Sequence, residues 1–368
     1  MNLAHWLERS AAVFGERPAI ARGRTAVCSY REFAASAARA AAWLHEQGLV
    51  PGDRVGFFLG NQPDYLRLLW GAWWGGMVAV PINARLHGRE AAFILSDCAA
   101  TMCFTDASHA DKLAGHVPGA CRIIDRHPFL DAGGGPAAPI AARDEDDDTW
   151  LFYTSGTTGK PKGVRLSARN LRWMTLAYLA EVQPVAPGDT MLHPAPLSHG
   201  SGMYHFPYVL NGGVNVLPES GGLDGAEIAG LAAHWGNASL FAAPTMVRRL
   251  VGWARGRPRP LPGLATVVYG GGPMYVADVE DAREVLGPHL AQIYGQGESP
   301  MTITVLPRHV IEDRAHPRHR ERLASVGYPQ PMVEVSIHAP DGTPLPVGEP
   351  GDEISGCRRD EQHVGPVG

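Results

Sequence analysis

Apolar residues recur at helical spacing through Phe33, Ala37, Ala40, Ala41 and Leu44, behind a Ser29-Tyr30-Arg31-Glu32 step with capping-box spacing and ahead of Gly48. The pattern predicts an amphipathic helix between them. Asp53 to Leu59 reads as a strand, Pro63 to Trp74 as a helix opened by proline, and Met77 to Ile82 as a further strand. The rhythm repeats in a helix from Gly88 to Cys98 and strands at Thr101 to Thr105 and Cys121 to Asp125. Strands alternating with helices of this length predict βαβ units and largely parallel sheet, buried on both faces.

Asp131 to Asp148 mixes glycine, proline and an acidic run and reads as a surface linker. The acidic run lacks calcium-loop spacing, so a solvated turn is the expectation. A second series follows: helix Ser167 to Glu181, strand Thr190 to His193, helix His199 to Leu210, strand Val214 to Leu217, helix Asp224 to Trp235, strand Ser239 to Phe241, helix Pro244 to Ala254 and strand Ala265 to Tyr269. From Ser325 the texture turns to short alternating pieces. Val333, Val335 and Ile337 alternate with polar neighbours, and Asp341-Gly342 invites a hairpin, which predicts a small β-barrel or an antiparallel appendage. The fold class is α/β. A first lobe is expected over 1–130, a linker over 131–148, a second lobe carrying the nucleotide loop over 149–324, a partial barrel over 325–356 and an aberrant tail over 357–368.

Composition narrows the classes. With 368 residues, 45% hydrophobic and 19% charged, the chain suits a globular protein of two or three lobes. A net charge of −5 without a basic stripe argues against nucleic-acid binding. Cys28, Cys98, Cys103, Cys121 and Cys357 are scattered, which indicates neither a disulfide framework nor a zinc site and fits a reducing cytoplasm. The first residues do not read as a signal peptide, and the apolar run Leu68 to Ile82 is too short to span a membrane.

The chemistry concentrates in YTSGTTGKPKGV, Tyr153 to Val164, directly after an apolar run from Trp150 to Tyr153. Gly156 and Gly159 allow backbone N–H groups to approach an anion, while Ser155, Thr157 and Thr158 add donors and lysine adds charge. A Walker loop is excluded: Pro161 follows Lys160, has no N–H and disfavours helix at the residue before it. Only three lysines occur in the chain, and two of them, Lys160 and Lys162, lie here.

This stretch resembles the signature loop of the adenylate-forming superfamily, which includes acyl-CoA synthetases, aryl-CoA ligases, luciferases and peptide-synthetase adenylation domains. The resemblance implies that Thr154 to Gly159 (Thr154, Ser155, Gly156, Thr157, Thr158, Gly159) hold ATP phosphates, with Lys162 as the matching lysine. It extends to three further segments in the same order. Tyr269 to Pro273 (YGGGP) is similar to the G-G-x-P segment, placing Gly270, Gly271, Gly272 and Pro273 near adenine and the acyl group. Ile293 to Ser299 (IYGQGES) resembles Y-G-x-T-E: Tyr294 would offer a ring face to adenine, flanked by Gly295 and Gln296, and Glu298 would bind Mg²⁺. Gly297 stands where that motif has threonine, so Gln296 or backbone N–H groups would take over the contact of a missing hydroxyl. Pro196 to Gly202 (PLSHGSG) matches P-x-x-H-x-x-G and makes His199 the mouth of the acyl pocket, with Met203, Tyr204 and Phe206 as apolar wall.

The resemblance runs from about Leu7 to Ile354 and implies two αβαβα-type lobes. It implies ATP-dependent conversion of a carboxylic acid to acyl-AMP and then to a CoA thioester, with ATP, Mg²⁺ and CoA required and catalysis resting on Lys162, His199 and Glu298. The family's ribose-binding TGD segment and its C-terminal domain with a catalytic lysine have no counterpart after Ile354. The expectation is therefore a shortened chain of impaired activity. Two alternatives stay open: a silent nucleotide- or acyl-binding fragment, and an acyl-AMP ligase that loads a carrier protein.

Overall fold

The helix Pro63–Trp74 has an apolar run with almost no polar face, and ten of its twelve residues are buried, so it has to be covered on every side. It packs against strands of two different sheets: Arg54–Phe58 and Val78–Pro81 of one, and Pro18–Arg22 of the other. The computed structural model describes residues 1–117, 119–125, 127–131, 137–155, 160–257 and 261–357.

The smaller of these sheets has six strands, in the order Arg122–Ile124, Met102–Thr105, Arg54–Phe58, Val78–Pro81, Asp148–Ser155 and Pro161–Ser167. All neighbours are parallel except the last pair, an antiparallel hairpin. The larger sheet has nine, running Tyr328–Pro329, Thr304–Leu306, Leu290–Tyr294, Leu264–Tyr269, Ala238–Ala242, Thr190–Leu192, Val214–Leu217, Pro18–Arg22 and Thr25–Ser29. Its central strands are parallel and its edges antiparallel. The expected α/β architecture with largely parallel sheets is what the chain adopts.

Hydrogen bonding divides the chain differently from its order in sequence. The strand Asp148–Ser155, expected to begin the second lobe, belongs to the smaller sheet, because Trp150 pairs with Ala79. The hairpin Pro18–Ser29, expected within the first lobe, completes the larger sheet through Ile20 opposite Asn215. The appendage is an antiparallel pair, Val333–His338 with Asp352–Cys357, and no closed barrel forms among the described residues. Tyr328–Pro329 leaves that appendage to extend the edge of the larger sheet. The tail from 358 onward lies outside the described residues.

Local signals account for most element ends. Ser29 and Glu32 form the capping box of the helix Tyr30–Glu46, and the helices Pro63–Trp74 and Pro244–Ala254 begin at their prolines. Two helices depart from the simple pattern. The span expected as one helix from His199 breaks at Tyr204 into Gly200–Met203 and His205–Asn211. The helix Ala168–Ala177 continues as a π turn, Tyr178–Val182, in which Tyr178 is buried. The acidic run is clamped by arginines: Arg172 holds Glu145 at 2.7 Å, Arg169 holds Asp146 at 2.6 Å and Arg165 holds Asp148 at 2.9 Å. No helix among the described residues is long and apolar enough to cross a membrane.

One core cluster joins the two halves. Trp73 is buried, donates from Nε1 to the Thr149 carbonyl at 2.9 Å, and lies 5.3 Å from the Phe206 ring and 5.9 Å from Trp150. Phe206 therefore faces this core and is not part of the acyl wall expected from the sequence.

Candidate active site

Four loops meet where parallel strands end. In an open α/β sheet this carboxyl edge is where ligands bind, because loops diverge there and leave a crevice. The hairpin arm Pro161–Ser167 places Lys162 opposite Thr154. Lys162 shares a strand face with buried Val164 and Leu166 and stands where that face runs out of core. It is exposed, and no described residue pairs with it. Lys160, by contrast, sits over the Phe93 ring at 5.9 Å, so among the described residues Lys162 is the lysine of this hairpin without such a contact. Gly156, Thr157, Thr158 and Gly159 lie outside the described residues, as does the Ser155 side chain.

The turn after the strand Leu290–Tyr294 presses on this hairpin. Gly297 is buried there, and a Cβ on it would stand 3.0 Å from Thr154 Cγ2 and 3.2 Å from Val164 Cγ2. The position that carries threonine in the resembling motif is thus filled here from across the gap by the Thr154 methyl. Glu298 next to it is exposed, and its carboxylate has no partner among the described residues. Tyr294 is half-buried and accepts a hydrogen bond from Gln296 Nε2 at 3.0 Å. The Glu353 carboxylate beside its hydroxyl, and then burial, raise its pKa above the ordinary value. The appendage strand therefore reaches the site.

The strand Leu264–Tyr269 runs parallel to Leu290–Tyr294, so its following glycines come out at the same edge. Gly270 is buried, since a Cβ there would overlap Ile293. Gly271 has φ +75°, a left-handed conformation that favours glycine, and both it and Gly272 are exposed, where a Cβ would touch Phe241 or Pro244 only at 3.9 Å. Pro273 is exposed beside them.

His199 follows the strand Thr190–Leu192. It is largely buried, edge-on to Phe152 at 5.7 Å, with Nδ1 3.0 Å from Ser198 Oγ, and burial lowers its pKa. A neutral imidazole at the join between the sheets follows. Asn61 fixes this segment from the other half: Nδ2 donates to the carbonyls of His193 and Ala195 at 3.0 and 2.8 Å, and Oδ1 accepts from Leu197 N at 2.9 Å. A narrow, mainly apolar crevice of about 10 Å³ is walled by residues that include Met174, Tyr178, Met203, Tyr204, Ile293 and Met301. Asn61, Tyr178 and Met301 were not singled out by sequence, because each works through long-range placement and none sits in a local motif.

Two further histidines lie beneath. His193 is fully buried between Ser201 Oγ at 3.0 Å and Asn215 Oδ1 at 3.1 Å, and burial pushes its pKa down to about 4. His205, against Trp73 and Trp70, is pushed down to about 3 by burial and by His193. Both groups are depressed below an ordinary value near 6.5, so their stabilising effect is complete above that pH and is lost as pH falls toward 4, where only the unfolded chain takes up the protons. The unfolding free energy from urea titrations should therefore drop between pH 7 and pH 4.5, by roughly 1.4 kcal/mol per pH unit per proton, and less in His193→Gln. Equal slopes in the two proteins would contradict this.

The fold and the converging loops define an α/β domain with its candidate site at the carboxyl edge of the parallel strands. The family model for the AMP-binding enzyme matches residues 7–355, and the chain belongs to that family. Feruloyl-CoA synthase from Amycolatopsis sp is 32% identical over 96% of this chain and 69% of its own length. The N-terminal domain of FACL13 from Mycobacterium tuberculosis superposes with a TM-score of 0.84 at 23% identity, covering 97% of this chain and 89% of that one. O-succinylbenzoate Coenzyme A synthetase from Bacillus subtilis, in complex with AMP, gives 0.83 at 25% identity, covering 96% and 69%.

Proposed function

We propose that this chain binds ATP and a carboxylic acid at the shared carboxyl edge and activates the acid as its adenylate. The observation that carries this reading is the convergence around Gly297 of an exposed lysine (Lys162) and an exposed carboxylate (Glu298), neither paired among the described residues, beside the exposed glycines 271 and 272. In the step proposed, a carboxylate oxygen attacks the α-phosphorus of ATP, the bond from that phosphorus to the bridging oxygen breaks, and pyrophosphate leaves. Lys162 would balance charge on the phosphates. Tyr294, Gly270 and Gly271 would border the adenine, and Gln296 would serve as a polar donor beside it. A neutral His199 would line the acyl mouth and orient the acid without taking its proton, since a carboxylate is already ionised at neutral pH.

Glu298 fits Mg²⁺ by the chemistry of its donor: a free, hard carboxylate oxygen, of which magnesium often needs only one or two from the protein. Bound there, the ion would neutralise phosphate charge.

In the second half-reaction a thiol sulfur attacks the acyl carbon, its proton goes to solvent, and AMP leaves. CoA is the acceptor proposed, because the relatives named feruloyl-CoA synthase and o-succinylbenzoate Coenzyme A synthetase use it in their names. The test is ATP–pyrophosphate exchange by the purified chain with Mg²⁺ and a panel of aliphatic and aromatic acids. Carboxylate-dependent exchange is expected. Calorimetric ATP binding with no exchange for any acid would replace the reading with that of a silent nucleotide-binding fragment.

A further inference from the structure

The narrow crevice between Met174, Tyr178 and Ile293 is mainly apolar, yet two of its lining residues carry polar atoms that folding has left unanswered. Tyr204 is 3% exposed, and its hydroxyl has no hydrogen-bond partner among the described residues. Gln330 is 1% exposed, and its Oε1 is likewise without one. Buried polar groups are paired in the great majority of cases, and an unpaired one costs its full desolvation, so two on one crevice call for an explanation.

Neither is free to turn elsewhere. The Gln330 amide nitrogen donates to the Met301 carbonyl at 2.7 Å and to the Thr304 carbonyl at 3.3 Å. Two carbonyl acceptors require an NH₂ on that side, which fixes Oε1 on the other. Tyr204 is held by ring contacts, stacked on Phe241 at 5.3 Å and edge-on to Tyr178 at 5.4 Å. Its neighbour Tyr178 shows what a satisfied hydroxyl looks like here, lying 3.2 Å from the Tyr208 hydroxyl. The rest of the wall is adaptable: Met174, Met203 and Met301 are unbranched and polarisable, and accommodate rings and chains alike.

We infer that the acid this chain accepts carries a hydroxyl group on an otherwise apolar body, read by Tyr204 and Gln330. A hydroxyl both donates and accepts, so one group can donate to Gln330 Oε1 and accept from the Tyr204 hydroxyl. The inference rests on the acid-activating reading and names its substrate class. Discrimination follows from the same physics, because an acid lacking the hydroxyl leaves both atoms buried and unpaired.

The experiment pairs 3-(4-hydroxyphenyl)propenoic acid with 3-phenylpropenoic acid, and an ω-hydroxy fatty acid with its parent acid. Each is measured by exchange kinetics and by calorimetric binding on the full chain and on Tyr204→Phe. The wild type is expected to prefer a hydroxylated acid by roughly tenfold or more, and the preferred pair tells aromatic from aliphatic bodies. In Tyr204→Phe the preference should shrink toward unity, and the melting temperature should hold or rise, because only an unpaired hydroxyl is removed. Equal affinity for both members of each pair overturns the inference, as does a preference unchanged by Tyr204→Phe. A fall in melting temperature does so too, since it would reveal a structural partner for the hydroxyl. If no acid supports exchange, the activity reading fails, while the binding arm still decides this one: no binding of the hydroxylated acids overturns it.

Discussion

Lys162→Ala is expected to lower carboxylate-dependent ATP–pyrophosphate exchange by about 10²- to 10³-fold, the usual consequence of removing one preorganised group that stabilises transition-state charge. The folded state should be indifferent. Lys162 is exposed and has no partner among the described residues, and its strand is held by Val164, Leu166 and antiparallel pairing with Asp148–Ser155. Unfolding free energies of mutant and wild type should agree within about 0.5 kcal/mol, as for surface positions generally. Lys160→Ala is the informative control, since that lysine already sits over Phe93 and should matter much less. Exchange that survives Lys162→Ala at the wild-type rate would remove Lys162 from the proposed chemistry.

Trp73→Ala should do the opposite, acting on the fold first. Truncating a buried aromatic residue typically costs about 3–5 kcal/mol. Here the lost indole also leaves the Thr149 carbonyl without its donor, a further penalty of about 1–3 kcal/mol. Against a total stability of roughly 5–15 kcal/mol, that approaches global unfolding. Trp73→Phe keeps most of the ring contacts with Trp70, Trp150 and Phe206 and should lose considerably less. Urea denaturation of the three proteins measures both differences. A Trp73→Ala loss below about 1 kcal/mol would mean that the two halves do not depend on this side chain.

The parts of the molecule that could be read from sequence are those specified locally. The bounds of Pro63–Trp74 and Pro244–Ala254 follow from a proline at the first turn, and Ser29 with Glu32 marks where Tyr30–Glu46 starts. Glycine-rich segments after apolar strands identified the loops at the sheet edge, because only parallel strands bring 270–273 and 294–299 out on the same side. What stayed hidden depends on distant chain. Nothing near Pro18 announces that it pairs with a strand beginning at Val214, and nothing near Asn61 announces three hydrogen bonds to residues 193–197. Gln330 follows the same rule. Its amide looks ordinary until Met301 and Thr304 fix which of its two ends faces the crevice.

The pairing of Ile20 with Asn215 also sets a timetable, because the second strand is synthesised nearly two hundred residues after the first. At roughly 5–20 residues per second, translation needs on the order of ten seconds or more to deliver that partner. Until then the hairpin Pro18–Ser29 emerges with one edge open, and the helix Pro63–Trp74 has only part of its cover. An open strand edge and an uncovered apolar helix are what holdase chaperones recognise on nascent chains. Ribosome-bound fragments ending shortly after residue 167 should therefore engage such chaperones, and those extended past the strand Val214–Leu217 should be released from them.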